Sequence, residues 1–520
     1  MKQLGTLDSA FINLEQANTP QHIGGFGIYD PSTAPGGFVR FKEVIANFEQ
    51  RLKKMPIMRT RLIEVPFGLD KPYWVIDENF DTEFHLRHIA LPKPGDWRQL
   101  CIQAARLHAR PLDMSRPLWE CYIIEGLDNI PGLPKGAFAI YTKMHHSLID
   151  GAGSQSFMQA LHDLEPSPRS IPAEDTTGED QAYAPVAITP ARLLRNAAIN
   201  NVSSSVGLVK GTLKLAGGLI RTALDIRSEK LPAYPSAPKS RFDAPVGPHR
   251  VFDASLFSLD DFKAMRRATD TTINDIAVAV VAGALREYLQ HHGELPDESL
   301  AASMPVNIRG KGAQTDDNNQ IAAIMSLIHT DIEEPVDRLL AISRSMTGAK
   351  KFVDTPLADP IKVAGIFNPW LSKRVARWYV NGRMTERLPM GNCCGVITNV
   401  MGPPFPLYCA GAQLVQYYPM GLLTAGGGLF HAVFSMAGTL SISAIADREA
   451  MPDPEFYRQC LDNSFKALKE SVAQRYQVAT PVKKNVLVKN KASRKGKAAV
   501  NKSAVAQRKA ATRKESQRRQ

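Results

Sequence analysis

Two adjacent histidines followed by an acid and a glycine are the residues of this 520-residue sequence best suited to chemistry. They are His145 and His146, and Asp150 and Gly151 complete the pattern His-His-x-x-x-Asp-Gly. An imidazole has an unperturbed pKa of about 6.5, so it can accept a proton at neutral pH. The pattern therefore indicates a reaction in which a positioned histidine removes a proton from a substrate.

The residues before the histidines predict the element that positions them. Residues 136–144 are rich in β-formers, and large apolar side chains among them recur at alternate positions, which favours a strand. One face of that strand carries Phe138, Ile140, Thr142 and Met144. Neighbouring side chains of an extended chain point to opposite faces, so one histidine should face the core and the other a cleft. Only one of the two can be the base.

A second histidine pair, His291-His292, offers a comparison within the same chain. It follows a helical stretch, and its next acid, Asp297, falls one position too late and precedes Glu298 rather than a glycine. We interpret this pair as lying on the surface, at the polar end of a helix.

Composition limits the class of protein. The sequence is 44% hydrophobic, enough for two or three packed domains. The first residues lack the apolar stretch of a secretory signal, and the longest apolar run, 276–285, is half of the roughly 20 residues that span a bilayer. Six cysteines without C-x-x-C spacing argue against a disulfide framework or a structural zinc site. We expect a cytoplasmic protein without a metal or a transmembrane helix.

The formal charge of +12 is concentrated at one end of the chain. Residues 481–520 contain fourteen Lys or Arg and one acid, so they carry +13 and the remaining chain sums to −1. With few large apolar residues, this segment is predicted to be a disordered cationic arm. Such an arm is attracted to polyanions, and it improves solubility or assists binding to a lipid surface. Nucleic acid is the less favoured partner.

The chain divides at residues 165–249. Residues 165–184 and 231–249 are rich in Pro and polar residues, as inter-domain segments are. Between them, residues 190–230 place apolar side chains at helical intervals among Arg and Lys, with no acid before Asp225. This pattern predicts a basic amphipathic helix. In one interpretation this helix packs on the core, and in the other it lies at a lipid interface, at the inner membrane or lipid bodies.

Several motifs, in order along the chain, resemble the bacterial wax ester synthase/diacylglycerol acyltransferase family, within the coenzyme A-dependent superfamily that includes chloramphenicol acetyltransferase. Besides His-His-x-x-x-Asp-Gly they are Leu-Asp-Ser-Ala-Phe at 7–11, Pro-Gln-His-Ile-Gly-Gly at 20–25, Pro-Leu-Asp at 111–113, Arg-Pro-Leu-Trp-Glu at 116–120, Asn-Asp at 274–275, Pro-Val-Asn-Ile-Arg at 305–309, Asn-Gln at 319–320, Thr-Asn-Val-Met-Gly-Pro at 398–403 and Ala-Asp-Arg at 446–448. The family more often has serine where Thr398 stands, and its core lacks the lysine-rich tail.

This resemblance implies an α/β fold of two lobes like those of chloramphenicol acetyltransferase, each with a mixed sheet, and an active-site tunnel between them. The lobes would be residues 1–164 and 250–480. It also implies transfer of a long-chain acyl group from acyl-CoA to a fatty alcohol, giving a wax ester, or to diacylglycerol, giving triacylglycerol. Acyl-CoA would be a co-substrate, and no resident cofactor or metal is expected.

The chemistry of acyl transfer assigns roles to the motif residues. A base must deprotonate the acceptor hydroxyl, and donors must stabilise the oxyanion. We predict His146 as the base, with His145 and Asp150 holding the loop and Gly151 permitting its turn. Asn274 is a candidate for positioning, against the alternative that Asn274-Asp275 caps a helix. The candidate oxyanion donors are Thr398 and Asn399.

Two other functions compete with this prediction. Residues 391–395 read Gly-Asn-Cys-Cys-Gly, a thiol version of the hydrolase nucleophile elbow with Cys393 as nucleophile. That motif requires a strand before it and a helix after it, whereas Val396 begins a β-like run. The other alternative is a non-enzymatic coat protein that binds lipid surfaces through the basic helix and tail.

Overall fold

The computed structural model describes residues 1–148, 157–167, 189–307, 321–353, 355, 370–371, 373–374 and 392–476, with only the backbone described at 202–212, 214, 307 and 321. Its strands are β1 (Lys2–Gln3), β2 (His22–Asp30), β3 (Thr60–Ile63), β4 (Tyr73–Ile76), β5 (Leu86–Ala90), β6 (Trp119–Glu125), β7 (Phe138–His145), β8 (Arg250–Ser258), β9 (Ala301–Asn307), β10 (Ile321–Leu327), β11 (Val396–Met401), β12 (Tyr408–Cys409), β13 (Ala412–Met420), β14 (Leu429–Met436) and β15 (Thr439–Asp447). Its helices are α1 (Thr6–Leu14), α2 (Phe41–Leu52), α3 (Thr82–His85), α4 (Trp97–Ala109), α5 (Pro190–Arg227), α6 (Leu259–Thr269), α7 (Ile273–His291), α8 (Pro335–Ala349) and α9 (Pro454–Tyr476).

The strands of the described residues form two six-stranded sheets and one small sheet. The first sheet has the order β12-β13-β2-β7-β6-β5, the second β10-β9-β11-β14-β15-β8, and the small sheet β1-β4-β3. The first sheet contains a parallel pair, β5 with β6, and the second contains two, β9 with β11 and β11 with β14. The other pairs are antiparallel. This confirms the predicted α/β architecture with a mixed sheet in each lobe.

The two halves of the chain exchange strands. β12 and β13 lie within the region 250–480, which the sequence assigns to the second lobe, yet they complete the first sheet next to β2. The chain then returns to the second sheet at β14. Residues 1–476 accordingly form one compact unit.

The long apolar run of the sequence is a core helix. Residues 276–285 of α7 are all buried, mostly against the second sheet and the helices around it. The helix begins at a capping box, in which the backbone N–H of Asp275 donates to Thr272 Oγ1 at 3.1 Å and that of Thr272 donates to the Asp275 carboxylate at 3.0 Å. Its burial against other elements explains why the run is apolar all round.

The predicted basic helix is present as α5, over residues 190–227. Thr189 caps it by accepting the N–H of Arg192, and Pro190 occupies the first turn, where its missing N–H is not needed. Its first turns pack on the small sheet through Leu193 and Ala197. Within the described part of the chain, no helix combines the length and apolarity required to cross a bilayer.

Candidate functional site

The two histidines lie at the end of β7 and point to opposite sides of the first sheet. Thr142, Met144 and His146 line an apolar cavity of about 330 Å³ that also contacts residues of the second sheet. Lys143 and His145 alternate with them and are completely buried on the other side. The alternation of the strand therefore presents one imidazole of the adjacent pair, that of His146, to the cavity.

His146 is held by its backbone and by ring stacking. Its N–H donates to the carbonyl of Gln21 at 2.8 Å, next to β2. Its ring stacks on Phe11 of α1, with centroids 4.1 Å apart and planes inclined by 17°. These contacts fix the direction in which the half-buried imidazole faces the cavity.

His145 is part of a buried polar cluster instead. Its Nδ1 accepts the N–H of Ser147 at 3.1 Å and lies 2.7 Å from Ser147 Oγ. The ring proton therefore belongs on Nε2, which lies 3.4 Å from the carboxylate of Glu15. The same carboxylate accepts the N–H of Gln21. Glu15 thus connects His145 to the residue whose carbonyl holds His146.

Further polar groups support β7 from the side away from the cavity. The Lys143 ammonium donates to the carbonyls of Leu107 and Arg110 at 3.1 and 2.8 Å and lies 3.3 Å from the Glu120 carboxylate. Burial lowers the Lys143 pKa below its ordinary value. These bonds tie the strand to α4 and β6.

The opposite wall of the cavity includes β11, where alternation separates two candidate residues. Thr398 lines the cavity together with Val396 and Val400. Asn399 points to the other side, where its amide donates to the side-chain oxygen of Asn274 at 3.3 Å. The helix cap next to Asn274 is made by Asp275, so Asn274 joins α7 to β11 rather than capping the helix.

The rest of the cavity wall is mostly apolar. Residues of α1, α2, both large sheets and the helical turn at 157–161 contribute to it. Among the side chains that line it are Leu7, Phe11, Ile23, Phe48, Ile140, Phe157, Leu161, Pro305, Val396, Leu422, Phe430 and Phe434. Within the described residues, no group of three or more His, Cys, Asp or Glu side chains is arranged to hold a metal ion.

Cys393 does not have the surroundings of a nucleophile. Burial raises the pKa of its thiol to about 11, and Sγ donates to the carbonyl of Gly395 at 3.0 Å. β11 follows it, whereas a nucleophile elbow requires a helix there. The other predicted residues, Asp150 and Gly151, and the arm 481–520 lie outside the described residues.

Comparison with known proteins relates this geometry to a family. The model of the wax ester synthase/diacylglycerol acyltransferase catalytic domain matches residues 4–277, and that of the family's C-terminal domain matches residues 318–469. The chain belongs to this family. Membership confirms the prediction that it is an O-acyltransferase. Residues 278–317, which include β9, separate the two matched regions, and neither region includes the basic arm.

Named relatives cover almost the whole chain. A Mycobacterium tuberculosis protein, tgs2, named a "probable" diacylglycerol O-acyltransferase, is 32% identical over 483 residues, 89% of this chain and 98% of that protein. O-acyltransferase WSD of Acinetobacter baylyi is 29% identical over 92% of this chain and its own full length. The wax ester synthase/diacylglycerol acyltransferase of Marinobacter aquaeolei superposes with a TM-score of 0.64 at 25% identity, over 91% of this chain and all of that chain. A trichothecene 15-O-acetyltransferase of Fusarium sporotrichioides, at 13% identity over 90% of this chain and 95% of its own, shares the fold with a TM-score of 0.51.

Sequence reasoning did not single out three residues that surround the histidines. Glu15 lies far from His145 in sequence, and nothing in its local pattern marks it. Gln21 falls in the family motif at 20–25, but the motif gives no sign that its carbonyl holds His146. Phe11 falls in a family motif, and its spacing from Leu7 places both on one face of α1. That spacing is the signal that could have placed Phe11 at the cavity.

Proposed function

We propose that this protein transfers a long-chain acyl group from acyl-CoA to the hydroxyl of a fatty alcohol or of diacylglycerol, with His146 as general base. The observation that carries the proposal is an imidazole set into an apolar cavity, between the sheets of the two lobes. A cavity of this kind suits a substrate with one polar reacting group and a long aliphatic chain. The activated thioester supplies the reactivity, so the proposed reaction uses acyl-CoA as co-substrate and no resident cofactor.

The proposed mechanism needs a proton acceptor and an oxyanion donor. His146 takes the proton of the acceptor hydroxyl as its oxygen attacks the thioester carbonyl, and returns that proton to the departing thiolate. Thr398 faces the same cavity and is the proposed donor to the oxyanion, whereas Asn399 bonds Asn274 on the other side of β11. In the proposed mechanism, His145 and Asp150 hold the loop and Gly151 permits its turn. The Asn274–Asn399 pair positions β11.

Product analysis tests the reaction directly. Purified protein is incubated with labelled palmitoyl-CoA and either hexadecanol or diacylglycerol, and the labelled lipid is identified. We expect a wax ester or triacylglycerol, with turnover of His146→Ala reduced by at least about a hundredfold. The matched control is His291→Ala, at the exposed end of α7, which should retain the wild-type rate. Wild-type turnover by His146→Ala would exclude the base, and absence of any ester from the wild type would exclude the reaction.

We also propose that the enzyme works at a lipid surface, on the cytoplasmic side of the inner membrane or on lipid bodies, and that α5 contacts that surface. Four large apolar residues of α5 are 59% to 69% exposed, and at 3.6 residues per turn they fall within about 60° of one another: Ile199, Leu213, Ile220 and Leu224. The buried residues Leu193, Ala197 and Thr222 lie on the opposite side of the helix. Arg192, Arg195, Arg221 and Arg227 lie along or beside the exposed face, an arrangement suited to anionic headgroups.

Vesicle flotation tests the membrane contact. The double variant Leu213→Glu, Ile220→Glu should lose binding to phosphatidylglycerol vesicles by tenfold or more, since each buried leucine or isoleucine contributes about 1.5 to 3 kcal/mol. High salt screens attraction to the cationic arm, so the comparison is made there. Leu219→Glu, on the side of α5 nearer the body, is the control. Equal flotation of the double variant and the wild type at high salt would contradict the contact.

A further inference from the structure

A hydrogen-bonded pair of polar side chains lines the apolar cavity far from His146. In the first sheet His22 lies opposite His145, and Tyr29 lies opposite Phe138 at the other end of β7. Tyr29 lines the cavity together with His162, and their Oη and Nε2 atoms are 2.8 Å apart. The Tyr29 ring leans back over Gly27, where a Cβ would lie 3.2 Å from Tyr29 Oη. Tyr29 therefore covers the level of Gly27, and Phe138, opposite Tyr29 in the sheet, does not line the cavity.

The strand register gives the distance from this pair to the proposed base. Gly27 lies opposite Ile140, which also lines the cavity, six residues before His146 on the same face of β7. At about 3.3 Å per residue, the cavity extends about 20 Å along the strand. A bilayer's hydrocarbon core of about 30 Å holds two layers of lipid chains, so one chain occupies about 15 Å. A single long aliphatic chain thus fits between His146 and the pair.

The polar atoms of the Tyr29–His162 pair bond to each other and to the backbone rather than facing the cavity. The Nδ1–H of His162 donates to the carbonyl of Met158 at 2.5 Å, which leaves Nε2 to accept the Tyr29 hydroxyl. Burial lowers the pKa of His162 to about 4, so the ring is neutral at pH 7. The two rings are parallel within 5° at a centroid distance of 5.9 Å. Each of these polar atoms has a partner, so the pair presents mainly ring surface to the cavity.

The segment that carries His162 is fixed to the protein on both sides. The Arg51 guanidinium of α2 donates to the carbonyls of Ala160 and His162 and lies 2.7 Å from the buried Asp163 carboxylate. The backbone of Asp163 exchanges two hydrogen bonds with Tyr408, at 2.7 and 2.9 Å. A chain that reaches His162 therefore meets a wall that resists displacement.

We propose that the Tyr29–His162 pair is the floor of a slot for one linear aliphatic chain and sets the longest chain that the enzyme accepts. This inference rests on the proposed acyl transfer. The chain is either the acyl tail of the thioester or the alkyl tail of the alcohol, and both have the same chemistry. Removing ring volume from the floor should allow the slot to admit further methylenes. Adding ring volume to the slot wall should shorten the longest chain that fits.

Chain-length profiles test the floor in both directions. Turnover is measured with acyl-CoA from decanoyl to behenoyl and fixed hexadecanol, and separately with alcohols from decanol to docosanol and fixed palmitoyl-CoA. Tyr29→Leu and His162→Ala should extend one profile to longer chains, by about fourfold in kcat/KM per added methylene, which is the fold-change given by about 0.8 kcal/mol. Ile140→Phe, which adds ring volume to the cavity at the residue opposite Gly27, should shorten the same profile. Tyr29→Phe keeps the ring and should keep the wild-type profile.

Each outcome has one meaning. A shift confined to the acyl-CoA series supports the floor and assigns the slot to the acyl tail, and a shift confined to the alcohol series supports it and assigns the slot to the alcohol. Unchanged profiles in Tyr29→Leu and His162→Ala, with the wild type still forming ester, would overturn the floor alone. If Tyr29→Leu fails to fold, His162→Ala and Ile140→Phe decide. Absence of ester from the wild type at every chain length is instead the failure of the proposed function.

Discussion

Replacing Glu15 should slow catalysis without weakening substrate binding, although this side chain does not line the cavity. Its carboxylate accepts the N–H of Gln21 and lies 3.4 Å from Nε2 of His145. The carbonyl of Gln21 in turn accepts the N–H of His146 at 2.8 Å. Glu15→Ala removes the acceptor of the Gln21 N–H and the carboxylate that faces His145, and it releases the segment that holds the proposed base.

The structure gives the size of the effect. A hydrogen bond to a charged group, such as that of the Gln21 N–H to Glu15, contributes about 1.5 to 3 kcal/mol, and the Glu15 side chain is only 14% exposed, so little of this is lost to screening. We therefore expect Glu15→Ala to lower the free energy of unfolding by about 2 kcal/mol. Misplacing a catalytic group by about 1 Å costs about a hundredfold in rate. The expected loss in kcat is accordingly between about tenfold and a hundredfold, with KM unchanged within a factor of about two.

Glu15→Gln separates hydrogen bonding from charge. The glutamine oxygen can still accept the N–H of Gln21, while the negative charge facing His145 is lost. Its kcat should lie between those of the wild type and Glu15→Ala. Steady-state kinetics with palmitoyl-CoA and hexadecanol, together with urea unfolding, measure both effects. A Glu15→Ala enzyme with wild-type kcat would refute the reasoning, because the base would then be positioned without this carboxylate.

Three further outcomes are expected. Thr398→Val removes a hydroxyl that faces the cavity and should lower kcat by about a hundredfold. Thr398→Ser keeps a hydroxyl and should retain most of the wild-type kcat. An unchanged kcat in Thr398→Val would exclude oxyanion donation by this residue. Cys393→Ser should retain full turnover, and its inactivation, with folding intact, would revive the cysteine hydrolase. Burial lowers the pKa of three histidines, to about 3 for His108, about 4 for His162 and about 3 for His431. Between pH 6.5 and 4 the unfolded chain therefore binds protons that the folded protein does not. Stability should therefore fall as pH drops through this window, by up to about 1.4 kcal/mol per unit for each histidine, and urea unfolding with a pH-independent midpoint would contradict this.

The elements near the histidines could be predicted because their signals are local. The alternation along 136–144 gave the strand, observed as β7, and the two-residue period separated His145 from His146. The helical period of 190–230 gave α5. Both signals act within one element, where spacing alone fixes which side chains share a face.

The partners of those elements could not be predicted, because they come from distant parts of the chain. Glu15 reaches His145 across 130 residues of sequence, and Tyr29 reaches His162 across a separation of 133. The choice between Thr398 and Asn399 also depended on tertiary structure, since alternation separates neighbours without saying which one faces the cavity. The strand exchange by β12 and β13 has no local signature either.

That exchange explains how one cavity can join two lobes. β13 lies in the first sheet and contributes Tyr417 and Pro419 to the cavity, while the next strand, β14, lies in the second sheet and contributes Phe430 and Phe434. The short connection between them, residues 421–428, prevents the two walls from separating freely. Its Gly421 is held from the first lobe, where His108 Nε2 donates to the Gly421 carbonyl at 2.9 Å. A slot of fixed length needs walls of fixed separation, and this connection meets that requirement.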